Sequence, residues 1–256
     1  MNTKDYRPKS GKVEWHITYK CNLRCVGCNR FAFLNDTHTP DMTLDDAKKC
    51  CEEAPKYGFH TVIILGGEPT LHPDFLNFVD LGLKHFNEVY VFTNGATQDS
   101  QLLLSWALAK GVVLGNAPQR YSIVHSILDY CVAPIDLGIT REPCYLCSCN
   151  PGRCGISLDS VGYTFCCIGG ALDAVLGLGA RTPNLSDLFD PDFIVEHQRK
   201  LCSHCGCTLG LDKKFASSCK KKYGILMSET WLRSSEKWEA YRNRQHQEVP
   251  YRVRGA

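Results

Sequence analysis

The order of hydrophobic patterns along the 256 residues predicts an α/β fold: a partial, open barrel of about five or six parallel strands, followed by a small cysteine-rich extension. Three observations predict it. Apolar runs of strand length alternate with segments of helical period, as in βαβ units. Gly, Cys and Asn gather at the ends of those runs, where parallel folds carry their functional loops. Too little chain lies between Gly111 and Cys144 to complete an eight-stranded barrel at about 30 residues per unit.

The first strand is read from Val13, Trp15, Ile17 and Tyr19, which alternate with Glu14, His16 and Thr18. If the apolar set faces helices, the polar set faces the barrel lumen, either toward a ligand or in a satisfied core network. Thr43 and Asp46 then stand at capping-box spacing before a helix with Leu44, Ala47, Cys51 and Ala54 on one face, stopped by Gly58. His60–Leu65 is the second strand and leads into GGEPT. Phe75, Phe78, Val79 and Phe86 mark the next helix, and Val89–Gly95 the third strand. DSQLLLSWALAKG is a further helix ending at Gly111. Val112–Asn116 is a fourth strand and Ile127–Leu137 a fifth. The expected boundaries are a barrel over 12–140, a cysteine-rich unit over 141–225, and a helix with a tail over 226–256.

Sixteen cysteines stand out in a chain of net charge +2 and 44% hydrophobic residues. The N-terminal MNTKDYRPKSGK has no apolar core of a signal peptide, and no run is long enough for a membrane span. The expectation is therefore a reducing, cytoplasmic setting with metal-bound thiolates rather than a disulfide scaffold. The near-neutral charge gives no indication of nucleic acid. Cys50 and Cys51, inside a helix, read as core. Ten cysteines crowd into Cys144–Cys219, so two metal regions flank a cysteine-poor middle.

The first region is CNLRCVGC, with Cys21, Cys25 and Cys28 directly after the first strand. Four thiolates close a zinc site or fill an iron–sulfur cube; three leave one position open. A zinc knuckle completed by His16 or His38 is the alternative. GGEPT follows the second strand and TNG the third. Gly66 and Gly67 leave room for backbone to approach a ligand, although a glycine-rich turn alone is commonplace.

This combination resembles the radical S-adenosylmethionine (SAM) superfamily over about residues 13–116. The resemblance implies a [4Fe–4S] cluster on Cys21, Cys25 and Cys28, with SAM on the open iron. Gly66, Gly67 and Glu68 would hold the methionyl ammonium, and Thr93 and Asn94 would contact SAM. One electron would cleave SAM to a 5′-deoxyadenosyl radical that takes a hydrogen from substrate, with the electron supplied by a flavodoxin or ferredoxin. Gly27 departs from the family's usual aromatic before the third cysteine, which leaves the adenine contact to other residues.

The second region is similar to the SPASM and twitch extensions of that superfamily, which hold auxiliary iron–sulfur clusters. Cys149, Gly162 and Cys167 match their leading spacing, with Cys154 and Cys166 as a second choice, and Asp159–Gly162 as a hairpin turn. Cys202 and Cys205 match a later pair, whereas Cys207 and Cys219 are wrongly spaced. The resemblance implies at least one auxiliary cluster, with a zinc ribbon as the alternative. Cys131 shares the parity of Asp129 on the expected fifth strand and is a candidate lumen thiol that returns a hydrogen atom, or a packed core cysteine. The expected activity is radical SAM chemistry on a small molecule or nucleotide. The alternatives are maturation of a peptide and a non-enzymatic zinc module.

Overall fold

The structure is a computed structural model that describes residues 10–25, 28–35, 39–114, 131–140, 155–207, 209 and 216–248. Strands β1 (Lys12–Thr18), β2 (Thr61–Gly66), β3 (Glu88–Val91) and β4 (Val113–Leu114) follow the predicted order. They alternate with helices α1 (Ala32–Asn35), α2 (Leu44–Glu53), α3 (Phe75–His85) and α4 (Gln98–Ala109). Strands β5 (Ile156–Leu158) and β6 (Tyr163–Thr164) complete an open, six-stranded sheet of order β4-β3-β2-β1-β5-β6. All neighbours are parallel except the β5–β6 hairpin.

The local chemistry matches the elements. Thr43 and Asp46 form the full capping box of α2. A tight turn through Pro55 ends that segment at Gly58, whose φ of +81° is natural for glycine. Both faces of β1 are buried, as expected of a central strand in a parallel sheet. Trp15 anchors one face, edge-on to Phe78 and Phe86 at centroid distances of 6.2 and 5.6 Å. Its indole N–H points at Cys50 Sγ, 3.4 Å away, so Cys50 belongs to the core.

One expected strand is corrected. Residues 127–130 lie outside the described residues, and Pro134–Leu137 forms a single tight turn closed by Gly138. The fifth parallel strand is instead β5, which pairs Val13 with Ile156 and Trp15 with Leu158. The hairpin that the sequence assigned to the extension therefore joins the main sheet.

The remaining elements are α5 (Gly169–Leu176), α6 (Pro191–Cys202), a hairpin of β7 (Lys220–Lys222) and β8 (Ile225–Met227), and α7 (Glu229–Glu248). Helix α7 is docked rather than free. Asp136 accepts hydrogen bonds from Ser228 Oγ and from the Thr230 amide and hydroxyl, at 2.5 to 2.8 Å, holding the helix start. Ser234 Oγ and Trp238 Nε1 both donate to the Val175 carbonyl.

Candidate cofactor site

The loops after β1, β2 and β3 meet at the carboxyl ends of these parallel strands. The amide of Gly67 donates to Thr18 O at 2.7 Å, and that of Glu68 to Lys20 O at 2.8 Å. A Cβ on Gly66 would collide with Thr18 O, and one on Gly67 with Lys20 O. Gly66 also has a φ of +149°. The glycines thus serve first to let β2's exit lie against β1's exit, where the expectation was room for a ligand.

Glu68 is fully buried, and its carboxylate accepts four hydrogen bonds. Oε1 takes the Thr70 amide (3.1 Å), the Thr70 hydroxyl (2.6 Å) and the Thr93 hydroxyl (2.7 Å). Oε2 takes the Asn94 amide at 2.7 Å. A carboxylate offers about four lone pairs, so little capacity remains for an ammonium group. Thr93 Oγ1 in turn accepts from the Gly95 amide. The Asn94 side chain reaches the cysteine loop, donating to Asn22 Oδ1 at 2.8 Å and pointing at Cys21 Sγ, 3.8 Å away. Asn22 carried no sequence signal; an exposed Asn between two motif positions looks like any loop residue.

Cys21, Cys25 and Cys28 are partly exposed free thiols on this loop. The Cys28 amide donates to Cys25 O at 3.3 Å, and the Leu23 amide to Cys21 Sγ at 3.4 Å. Burial pushes the Cys21 thiol up to about 11, with Cys28, Glu68 and Cys25 adding to it. Burial, then Cys28, also raises Cys25. Among the described residues no three Cys, His, Asp or Glu side chains gather around a single ion's position. The donor set fits a cluster with one open iron: three thiols on one loop, close enough to influence one another, with an amide N–H directed at one sulfur.

Beneath this loop lies a buried polar group. Arg30 Nη2 donates to Glu14 Oε2 at 2.7 Å, and His16 Nδ1 pairs with Tyr19 OH at 3.0 Å. Tyr19 donates to Asp159, which Arg181 also holds while bridging to Asp173. Burial drives the Glu14 carboxyl up to about 8 against the pull of Arg30. Burial, then Arg30, drives His16 well below the usual imidazole range. Burial, the largest influence, opposes the Arg30 charge, but Glu14, Cys167, Cys28 and Tyr19 together hold the guanidinium above its ordinary range. Its Nη1 is buried without a hydrogen-bond partner among the described residues.

The other predicted thiols divide. Cys149 and Cys154 lie outside the described residues. Cys166 and Cys167 are adjacent in the chain but serve different surroundings. Cys166 lies near Cys205, whereas Cys167 acts on Glu14 and His16. Cys205 is raised well above the usual thiol range, first by a hydrogen bond with Cys207, then by burial and Cys166. Cys207, set aside on spacing, is thus a direct neighbour of Cys205, while Cys202 is partly exposed at the end of α6. Cys131 sits outside any strand, its carbonyl accepting from the Ser228 amide at 3.1 Å. The strand parity that aimed it at the lumen does not hold.

Residues 15–110 match the profile of the Radical SAM superfamily. An AdoMet-dependent heme synthase of Methanosarcina barkeri is 34% identical over 83 residues, 32% of this chain and 24% of that protein. The mycofactocin maturase MftC of Mycobacterium tuberculosis is 36% identical over 83 residues, 32% and 21% of the two chains. An S-adenosylmethionine-dependent nucleotide dehydratase of Selenomonas ruminantium is 35% identical over 86 residues, 33% and 30%. The alignments thus span less than a third of each of these relatives. The crystal structure of BtrN with AdoMet and 2-DOIA superposes with a TM-score of 0.51 at 13% identity, covering 86% of this chain and all of that one. That likeness extends the shared fold to the open sheet as a whole. Residues 15–110 of this chain are a radical SAM superfamily domain.

Proposed function

We propose that the chain is a radical SAM enzyme that holds a [4Fe–4S] cluster on Cys21, Cys25 and Cys28 and acts on a small-molecule or nucleotide substrate. The observation that supports this most is the stitching of the three loops. Glu68 and Asn94 fix the cysteine loop, GGEPT and TNG against one another around partly exposed thiols. When bound, the cluster and SAM supply one-electron SAM cleavage and abstraction of a substrate hydrogen, with the electron from a flavodoxin- or ferredoxin-type donor.

The chain's own residues have three tasks in this reading. Cys21, Cys25 and Cys28 bind iron and give up their protons as they do so. Asn94 orients Cys21 and offers a donor to its sulfur, which tunes a cluster's potential. Gly66, Gly67, Glu68 and Thr93 shape the wall against which SAM lies. The buried Glu14–Arg30 pair and His16 line the lumen below, where they exclude water and give a substrate polar contacts.

In the C-terminal half we propose a second metal site, an auxiliary iron–sulfur cluster or zinc. Cys166, Cys205 and Cys207 are its described core, and Cys202 is within the same segment. The similarity to MftC favours a second reading, maturation of a peptide. The similarity to a nucleotide dehydratase supports the first. No described helix is long and apolar enough to cross a membrane, and a cytoplasmic setting remains part of the proposal.

Anaerobic reconstitution with iron and sulfide tests the ligand assignment. The triple substitution Cys21→Ser, Cys25→Ser and Cys28→Ser is expected to remove about four irons per chain. Unchanged iron would contradict it.

A further inference from the structure

We propose that Trp231 couples the Cys202–Cys207 segment to the Cys21–Cys28 loop, so that metal bound at the former tightens the latter. The proposal rests on the reading that the C-terminal thiols take a metal. It does not require that the first loop hold a cluster.

Phe31, three residues after Cys28, has a φ of +52° and is fully buried. A bulky residue in the left-handed region is strained and persists only where its surroundings hold it. Its amide donates to Cys28 O at 3.1 Å, and its carbonyl accepts from the Leu34 amide at 2.7 Å. Its ring packs on Trp231, centroid to centroid 4.7 Å with the planes 43° apart. Trp231, on the first turn of α7, is itself fully buried. The conformation of the chain leaving the cysteine loop is therefore held by a residue from the far end of the sequence.

Trp231 is aimed by one hydrogen bond: its indole N–H donates to His204 O at 2.9 Å. His204 lies between Cys202 and Cys205, and the Cys205 amide donates to Cys202 O at 3.4 Å. His204 Nδ1 pairs with Lys200 O at 2.6 Å, and the Ile135 amide donates to Ser203 O. A metal on a Cys-x2-Cys turn fixes the carbonyls between its ligands. The carbonyl that holds the indole is one of these. The indole in turn holds Phe31, and Phe31 sets the exit from Cys28. Coupling of this kind is reciprocal, so order at the first loop favours metal at the second.

Hydrogen exchange of residues 28–35 tests the proposal in the chain carrying Cys21→Ser, Cys25→Ser and Cys28→Ser, with and without Zn²⁺. Zinc in that chain reports only the C-terminal thiols. Zinc is expected to slow exchange of 28–35 several-fold. Adding Trp231→Phe keeps a ring on Phe31 but removes the bond to His204. It is expected to preserve metal-free protection and abolish the zinc response. Trp231→Ala is expected to speed exchange without metal and to show no response. Zinc bound with 28–35 unchanged, or an undiminished response in Trp231→Phe, would overturn the coupling. Failure of the chain to take up zinc or iron would also overturn it. Loss of the first-cluster reading would show separately, as absent iron on the unmodified loop.

Discussion

Glu68 Oε2 accepts the backbone N–H of Asn94 at 2.7 Å, joining the loop after β2 to the loop after β3 through a carboxylate with no exposure to solvent. All four hydrogen bonds that reach this side chain come from donors. Glu68→Gln places an amide N–H₂ where an acceptor is required. It is expected to cost about 2–4 kcal/mol, from hydrogen bonds to a charged group and a donor left unsatisfied. Thermal unfolding of the metal-free protein checks this, since the loss precedes any cofactor. A variant as stable as the parent would remove Glu68 from its structural role.

The two glycines of GGEPT give a sharper contrast with a third. Gly66→Ala and Gly67→Ala drive a methyl into fixed backbone at Thr18 and Lys20, and both are expected to disrupt the pairing of β1 with β2. Gly58→Ala meets no atom within 4 Å and only loses a favourable positive φ. It should cost about 1 kcal/mol. Denaturant titration of the three variants distinguishes these effects.

Glu14 predicts a pH dependence. Its folded pKa of about 8 lies above the ordinary 4.5, so the folded state binds the extra proton between those values. The contribution is fully present below about 4.5 and is lost as pH rises through about 8. Glu14→Gln cannot titrate but still offers Arg30 an acceptor. The stability difference between parent and variant should therefore fall by on the order of 1–3 kcal/mol from pH 5 to 9, in the parent's disfavour. A difference that is flat with pH would show that Glu14 ionises normally in the fold.

The C-terminal thiols separate two ligand sets. Spacing selects Cys149 with Cys167, or Cys154 with Cys166, and Cys202 with Cys205; in the fold Cys205 hydrogen-bonds to Cys207 and feels Cys166. Cys205→Ser and Cys207→Ser are expected to lower C-terminal metal content, and Cys167→Ser to retain it. Metal analysis on the chain lacking the first three cysteines decides between them. Loss only in Cys167→Ser would restore the choice of Cys149 with Cys167.

The strands up to β4 and helices α2 to α4 were legible because each carries its own period and its own start or stop signal, as Thr43, Gly58 and Gly111 show; the short α1 carries neither. The motif loops were legible for the same reason, as they fall where strands end. The fifth strand was not. Ile127–Leu137 is apolar enough to pass for a strand, whereas β5 is three residues long and shows no period. What a side chain does across the fold was also hidden. The need for Gly66 and Gly67 comes from the exit of β1, and the positions of Asn22, Cys207 and Trp231 become meaningful only after distant segments meet. Local sequence reports local periodicity; it does not report which carbonyl a distant indole will find.

The most direct test of the central claim is product analysis. The anaerobically reconstituted protein is given SAM and dithionite, and 5′-deoxyadenosine is measured by chromatography. Formation of 5′-deoxyadenosine in the parent, and its absence in Cys28→Ser, is the predicted result. A protein that carries a full iron–sulfur complement on Cys21, Cys25 and Cys28 yet leaves SAM intact would contradict the account.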